Sequence, residues 1–235
     1  SKKKSSKSKS SSKEKSVPSA SSVRDLVKNK LIGLFDEFSQ QDDKWKVLIV
    51  DDDALKVISV ACRVRDIMQK NITIVERLSI ARQPFPQMEA IYFIAPTKES
   101  VETIIKDFSD FKKPMYSYAH ILTTSIMSDE LVSKIASSPL KPRIKTLKEV
   151  NADFLAIERN VFTLNYQNDL QAAYGDPDKK AFANKLADKI AAFCATAGHV
   201  PYIRYSKSDV ATNTANALHD RLEKFKKLGL TKKKS

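Results

Sequence analysis

The feature that most restricts the fold of this chain is an alternation of short apolar segments with stretches of helical periodicity between residues 45 and 157. Val47–Val50 and Ile91–Ile94 are continuous apolar runs, the pattern of strands buried on both faces of a parallel sheet. Three more strands are predicted at Ile72–Val75, Tyr118–Thr124 and Arg143–Leu147. This order predicts an α/β fold with a five-stranded, mostly parallel sheet flanked by helices.

Apolar spacing and helix-start signals predict the helices that flank this sheet. One helix is predicted over residues 21–39 and another over residues 54–69. Pro96 and Thr97 end the third strand and start the helix Lys98–Phe108. Ser128 is predicted to cap a further helix that runs to Ala136.

The pattern changes after about residue 150, where two long amphipathic helices accompany only short strands. The short strands are predicted at Ala152–Ile157, Val161–Leu164 and Tyr202–Tyr205, with a helical turn at Leu170–Tyr174. One long helix carries an apolar side formed by Phe182, Leu186, Ile190 and Phe193. The other, over residues 209–228, carries the stripe Ala211, Ala215, Leu218, Leu222 and Phe225. So little sheet for two long helices indicates an incomplete second α/β unit.

The net charge of +13 is concentrated at the two ends of the chain. Residues 1–16 and residues 221–235 carry about +6 each, which leaves about +1 for the body. A duplex-binding fold carries its basic residues on a structured face, so nucleic-acid binding is not expected. The Lys/Ser-rich start is predicted to be disordered. Contact with anionic lipid, a basic targeting signal, phosphorylation and a purely solubilising role all remain open for it.

These patterns divide the chain into a tail (1–20), a first α/β unit (21–150), a partial second unit (151–230) and a basic tail (231–235). No apolar run approaches the roughly 20 residues that cross a bilayer, and the first residues form no secretory signal. Cys62 and Cys194 lie in apolar contexts, as buried thiols of a reducing compartment do. We therefore expect a cytoplasmic protein.

The sequence contains no pattern of catalytic, metal-binding or phosphate-binding residues. It has no Gly-rich loop, no serine in a Gly-x-Ser-x-Gly turn and no histidine close to either cysteine. His120, His199 and His219 are scattered without partners at metal-ligand spacing. A binding protein without cofactor or metal is therefore predicted, rather than an enzyme.

The acidic run Asp51–Asp53 supports one alternative function. Phospho-receiver domains hold Mg²⁺ with acidic residues at the end of a buried strand, but they also need an Asp at the end of the third strand. This chain has Ile94, Ala95 and Pro96 there. The simpler interpretation is that the three carboxylates cap the following helix. A ligand role stays open, because carboxylates at strand carboxyl ends lie where open α/β sheets bind ligands.

Six segments follow one another in a specific order: WKVLIVD (45–51), RDIMQKNITIVE (65–76), QPFPQMEAIYFIAPTKESV (83–101), AHILTT (119–124), RIKTLKEVNADFLAIE (143–158) and IAAFCAT (190–196). Together they resemble the N-terminal part of the Sec/Munc (SM) family of syntaxin-binding proteins, most closely its exocytic, plasma-membrane branch. The resemblance implies a fragment that covers domain 1 and the first part of domain 2 of a longer, three-domain protein. It also implies a non-enzymatic regulator of vesicle docking and SNARE-driven fusion. Such a protein would reach the plasma membrane or secretory vesicles through syntaxin, with the basic, Lys/Ser-rich tail as a second candidate contact.

The resemblance implies two binding sites for syntaxin. The surface for closed, four-helix syntaxin would contain Asp51, Leu55, Lys56, Arg63, Glu76, Ile80 and Gln83. Ile80 stands where the family usually has Lys, and Gln83 where it usually has Glu. The pocket for the syntaxin N-terminal peptide would contain Val132, Ile144, Leu147 and Glu149. Val132 is smaller than the usual Phe. Apolar side chains would accept an apolar anchor, and Glu149 an arginine of the peptide.

Overall fold

The computed structural model describes residues 22–41, 44–110, 112–166 and 179–229. The Lys/Ser-rich tail, the helical turn predicted at Leu170–Tyr174 and the last basic residues lie outside these ranges.

The five predicted strands form one fully parallel sheet in the order β2-β1-β3-β4-β5. They are β1 (Lys46–Val50), β2 (Ile72–Arg77), β3 (Glu89–Ile94), β4 (Ala119–Thr123) and β5 (Ile144–Glu149). Every residue of the three central strands is buried, because helices cover both faces of the sheet. In the edge strands, three of the six residues of β2 and four of the six residues of β5 are exposed. The predicted α/β fold is confirmed.

Five helices flank this sheet: α1 (Val23–Gln41), α2 (Asp52–Ala61), α3 (Val64–Met68), α4 (Lys98–Asp107) and α5 (Asp129–Ala136). The first three pack on one face, in a core that contains Leu31, Val57 and Ile67. The other two pack on the opposite face, where Ile104 and Ile135 are buried. Each fully buried aliphatic side chain contributes about 1.5–3 kcal/mol through removal from water. The sheet is therefore stabilised from both sides.

The predicted helix starts are confirmed at three strand ends. The side chain of Asp51 accepts a hydrogen bond from the Ala54 N–H at the start of α2. Thr97 and Ser128 do the same for α4 and α5. Each cap satisfies a backbone N–H that has no partner within its own helix.

The single helix predicted over residues 54–69 is wrong, because the chain forms α2 and α3 with a break between them. Cys62 and Arg63 have extended backbone conformations. The Asp66 carboxylate accepts a hydrogen bond from the Arg63 N–H, and this starts α3 in a direction that buries Ile67. Lys56 therefore lies on α2, whereas Arg63 lies at the start of α3.

Beyond the sheet, the chain forms an antiparallel hairpin of β6 (Leu155–Glu158) and β7 (Val161–Thr163), then α6 (Lys179–Ala197) and α7 (Asp209–Lys227). Phe154 and Ala156 join the same core as α1 and α2. The strand predicted at Tyr202–Tyr205 is wrong. Residues 201–206 have no regular structure, because no strand in the described ranges pairs with them.

The two long helices pack against each other through small residues of α6, and Ile190 and Phe193 of its predicted apolar side pack against the same core. Ala187, Ala191 and Cys194 are buried in this contact, and their small side chains let α7 approach closely. Leu218, Leu222 and Phe225 of α7 are buried in this contact, as its predicted stripe required. The larger residues of α6, among them Phe182, Leu186 and Ile190, line an open groove of about 950 Å³.

Within the described ranges, no helix combines the length and apolar character that crossing a bilayer requires.

Candidate partner-binding surfaces

The residues predicted to bind a partner form two groups on different parts of the parallel sheet. One group lies near the edge strand β5, and the other extends from α2 to the opposite edge strand, β2. Four strand spacings separate these edges, which is about 19 Å. In both groups most residues lie near the carboxyl ends of the strands, where open α/β sheets bind their ligands.

At the β5 edge, three of the four predicted peptide-binding residues line one pocket of about 420 Å³. Its lining consists of Thr123, Met127, Val132, Leu147, Lys148, Glu149 and Asn151. Val132 is 39% exposed on α5, and Leu147 is 44% exposed on β5. Two neighbouring aliphatic side chains that remain this exposed are typical of a contact surface.

Glu149 is held at the mouth of this pocket by the backbone. It is the last residue of β5 and lies directly opposite Thr123 of β4. Its Oε1 atom accepts a hydrogen bond of 3.1 Å from the Met127 N–H, which fixes the connection that leads into α5. Because Glu149 is exposed, its second oxygen can accept a charge-assisted hydrogen bond from a cationic ligand.

The structure does not bring Ile144 to this pocket. It is the first residue of β5, is half-buried and packs against the α4–α5 core. Five residues of extended chain separate it from Glu149, which is about 16 Å. Ile144 therefore supports the core on this side of the sheet.

Sequence reasoning missed Met127, Lys148, Thr123 and Asn151 as pocket residues. Thr123 and Met127 could have been found from the predicted end of the fourth strand, because neighbouring parallel strands end at the same edge. Asn151 has a left-handed backbone with φ of 53°, which nothing in its sequence context indicates.

The second predicted group occupies α2, the start of α3, and β2 with the segment that follows it. Lys56 is exposed on α2 and forms an ion pair of 2.9 Å with Asp53, whereas Leu55 is half-buried against the core. Arg63 is exposed at the start of α3. Residues that are exposed on neighbouring elements can contact one folded partner together.

Three more predicted residues lie on β2 and in the segment that follows it. Glu76 is half-buried, and its Oε2 atom accepts a hydrogen bond of 3.4 Å from the Tyr116 hydroxyl. Ile80 is 55% exposed, and Gln83 is also exposed. The sheet edge thus presents an apolar side chain between two polar ones.

Both carboxylate oxygens of Asp51 accept hydrogen bonds within the fold, in contrast to the exposed side chains of the same predicted group. Its Oδ1 atom accepts from the Ala54 N–H at 2.9 Å, and its Oδ2 atom accepts from the Ala95 N–H and the Ser100 hydroxyl, each at 2.8 Å. Burial raises the pKa of this carboxyl, although the three hydrogen bonds oppose that shift. This geometry favours the predicted helix-capping role.

The residues at the ends of the strands do not support the receiver alternative. The strand order 2-1-3-4-5 does not distinguish the alternatives, because receiver domains have the same order. The residue after β3 is Ala95, and Asp51 holds its N–H. Asp52 forms an ion pair of 2.6 Å with Arg77. In the described part of the chain, no three His, Cys, Asp or Glu side chains are grouped to hold a metal ion.

Comparisons with known sequences identify relatives over most of the chain. A model of the Sec1 family matches residues 46–234. The chain is 36% identical over 195 residues to "Protein transport protein sec1" of Dictyostelium discoideum. This alignment covers 80% of the chain and 32% of that protein. It is 37% identical over 182 residues to "SNARE-interacting protein KEULE" of Arabidopsis thaliana, and this alignment covers 75% of the chain and 27% of that protein. The chain thus spans about a third of the length of these relatives.

Solved structures share the fold. The protein in the Unc18–syntaxin 1 complex from Monosiga brevicollis superposes with a TM-score of 0.83 and 32% identity, over 92% of this chain and 38% of that one. Sly1p in complex with an N-terminal peptide of Sed5p superposes with a TM-score of 0.74 and 27% identity, over 88% of this chain and 39% of that one.

Proposed function

Because this chain belongs to the Sec1 family, we propose that it binds a syntaxin-type SNARE protein and regulates vesicle docking and membrane fusion. Two similar structures contain such partners, one with syntaxin 1 and one with an N-terminal peptide of Sed5p. The comparisons with known proteins favour this function over the receiver alternative. The proposed role is binding rather than catalysis.

The pocket at the β5 edge is the observation that carries this proposal. Val132 and Leu147 provide exposed apolar walls, and Glu149 adds a carboxylate beside them. An N-terminal peptide with an apolar anchor and a nearby arginine has the matching chemistry. The apolar anchor would supply most of the affinity, and the charged pair would orient the peptide.

A second binding mode is proposed for the β2 edge. Lys56, Arg63, Glu76, Ile80 and Gln83 are at least partly accessible on α2, at the start of α3 and along β2 and the segment after it, and they would contact the folded, four-helix form of the partner. Charges at the rim of such an interface mainly tune association rate and specificity. Asp51 would contribute by holding the start of α2.

We also propose the finer assignments that follow from family membership. The first unit would span residues 21–150 and a partial second unit residues 151–230. The protein would act in the cytoplasm, at the plasma membrane or at secretory vesicles, and in exocytosis. Its attachment to membranes would be peripheral, through the bound SNARE and through the Lys/Ser-rich tail.

Calorimetric titration with the N-terminal peptide of syntaxin 1 tests the pocket. We expect micromolar or tighter binding, and a loss of about 1–3 kcal/mol for Leu147→Ala, as is typical of a hot-spot residue. Glu149→Gln keeps the acceptor for the Met127 N–H but removes the charge. Its affinity should therefore fall while the fold is kept, and it should depend less on salt than that of the wild type.

Two matched variants serve as controls for the pocket. Val161→Ala removes an aliphatic side chain that is similarly exposed on β7, and Glu158→Gln removes an exposed charge on β6. Both should bind the peptide as the wild type does. Wild-type affinity in Leu147→Ala and in Glu149→Gln would mean that the peptide binds elsewhere.

A further inference from the structure

The segment between β2 and β3 is fixed at two points and exposed between them. Leu78 is buried, and its N–H donates to the Val50 carbonyl at 2.7 Å. The Phe85 N–H donates to the Met115 carbonyl at 2.8 Å. Residues 79–84 form neither helix nor strand, yet they carry Ile80 and Gln83 of the proposed partner surface. Something else must hold these two side chains in one arrangement.

Arg82 is the residue of this segment whose side chain turns inward. Only 5% of it is exposed, and 9% of its partner, Asp107 at the end of α4. Its Nη1 and Nη2 atoms donate to the two carboxylate oxygens at 2.9 and 3.0 Å. This fork geometry fixes orientation as well as distance. The middle of the exposed segment is therefore tied to a helix on the face of the sheet.

The same ion pair connects to Glu76 through two buried tyrosines. The Tyr92 hydroxyl donates to Asp107 Oδ2 at 2.8 Å. Tyr116 packs edge-on against the Tyr92 ring at 6.2 Å, and its hydroxyl donates to Glu76. A continuous set of contacts thus joins Glu76 to Arg82, which lies in the segment that carries Ile80 and Gln83.

The pKa values of Arg82, Tyr92 and Tyr116 are all raised, so these three groups remain hydrogen-bond donors. Burial lowers the pKa of Arg82, but the hydrogen bond and charge of Asp107 outweigh this and raise it overall. Burial and Asp107 together raise the pKa of Tyr92 well above its usual value. Burial is also the main cause that raises the pKa of Tyr116 to about 12. The donors therefore keep their protons across the physiological range.

Stability alone does not account for a buried ion pair in this position. Removing two charges from water costs about as much as their attraction returns, and apolar replacements of similar size are often as stable or more stable. A buried pair in an otherwise irregular segment can instead select one backbone arrangement.

We propose that Arg82 and Asp107 are positioning residues, which hold Glu76, Ile80 and Gln83 in the arrangement that binds the folded, four-helix form of a syntaxin-type partner. This inference rests on the proposed function and concerns its second binding mode. Neither residue needs to touch the partner.

The full 235-residue chain tests this with two separate ligands from Monosiga brevicollis syntaxin 1. One is the folded helical region without its N-terminal peptide, and the other is that peptide alone. The decisive variant is the triple change Arg82→Leu, Tyr92→Phe and Asp107→Leu. It removes the ion pair and leaves no buried hydroxyl without its partner. Its melting temperature should stay within a few degrees of the wild type, because the replacements are apolar and buried.

We expect the triple variant to bind the helical region at least tenfold more weakly, with peptide affinity unchanged within twofold. Arg82→Lys keeps the charge without the fork and should show an intermediate loss. Amide hydrogen exchange of residues 79–84 should become faster in the triple variant. Glu102→Gln, which breaks the exposed pair of Glu102 with Lys134, is the matched control and should change none of these readings.

The outcomes separate this inference from the proposed function. The positioning role would be overturned if the triple variant bound the helical region with wild-type affinity. It would also be overturned if the affinities for both ligands fell by the same factor. If the wild-type chain binds the peptide but not the helical region, the inference fails while the pocket stands. If it binds neither ligand, the proposed function fails as well.

Discussion

Asp51 illustrates at the residue scale how a carboxylate in a predicted site can serve the fold. Its two oxygens join β1, α2, the residue after β3 and α4 through three hydrogen bonds. All three donors are satisfied only when both side-chain oxygens at this position accept hydrogen bonds. Asp52 beside it is exposed and has one partner, Arg77. Adjacent residues of one type thus have different energetic roles.

Replacing Asp51 by Asn should therefore destabilise the protein by about 1–3 kcal/mol. The amide nitrogen can no longer accept from Ala95 and Ser100, and a buried N–H is left unsatisfied. Asp52→Asn should cost less than about 1 kcal/mol, because an exposed ion pair contributes little. Urea unfolding measures both values. Equal values for the two variants would contradict the assignment of Asp51 as a structural junction.

His120 is a second residue whose chemistry is determined by burial. Its Nε2 atom is 3.0 Å from Glu89, and its Nδ1 atom is 3.1 Å from the Thr146 hydroxyl. A carboxylate only accepts, so Nε2 carries the proton and Nδ1 accepts from Thr146. Burial lowers the pKa of His120, helped by Lys145 and Lys46 and opposed by Glu89. The folded state therefore favours the neutral ring.

The stability of the protein should fall as the pH is lowered below about 6.5, the ordinary pKa of histidine. In that range the unfolded chain binds a proton that the folded chain does not, so protonation favours unfolding. His120→Gln should remove this part of the pH dependence, since an amide can make both hydrogen bonds without titrating. The measurement is urea unfolding between pH 8 and pH 5. Parallel curves for the two proteins would show that His120 does not contribute.

At the scale of elements, the contact between α6 and α7 depends on small side chains. Ala187, Ala191 and Cys194 are buried there, while α7 supplies the larger groups Leu218, Leu222 and Phe225. A close contact of this kind is sensitive to added volume, because protein interiors are already densely packed.

Ala187→Leu should therefore destabilise the protein by about 1–3 kcal/mol through overpacking. Lys185→Leu adds an aliphatic side chain at an exposed position of the same helix and should change stability by less than about 0.5 kcal/mol. Thermal and urea unfolding compare the two. If Ala187→Leu is as stable as the wild type, the two helices do not pack as closely as described.

The elements that could be predicted from sequence are those whose local pattern allows one structure. A fully apolar run such as Val47–Val50 has few alternatives to a buried strand. The break between α2 and α3 could not be predicted, because it depends on burying Ile67 against the sheet. Tyr202–Tyr205 has strand-forming residues, but pairing depends on a neighbouring strand, which a local pattern does not reveal.

The candidate pocket was predictable to the same extent. Leu147 and Glu149 follow from the resemblance and lie together, whereas Ile144 lies at the other end of β5 and packs against the α4–α5 core. The register of β5 on β4 also shifts between Ile144 and Thr146, so one extra residue is accommodated there. Spacing along a strand cannot reveal such a shift.

At the scale of the whole molecule, the two proposed surfaces can be occupied by one partner at once. Leu147 lies on one edge strand of the sheet and Glu76 on the other, about 19 Å apart. A linker that passes around the sheet needs more than about six extended residues to span that distance. Tethered binding at two sites makes the free energies of the two contacts additive as long as both remain engaged.

Leu147→Ala and Ile80→Asp should therefore weaken binding of the whole cytoplasmic part of syntaxin 1 additively. Each change should cost about 1–3 kcal/mol, and the double variant the sum within about 0.5 kcal/mol, as expected for distant sites. Calorimetric titration of the four proteins gives the coupling energy directly. If the two modes excluded each other, the stronger one would mask loss of the weaker, and the double variant would lose more than the sum. That result would indicate two alternative complexes instead of one complex in which both surfaces bind the partner at once. The sign of the coupling energy therefore distinguishes simultaneous from mutually exclusive binding.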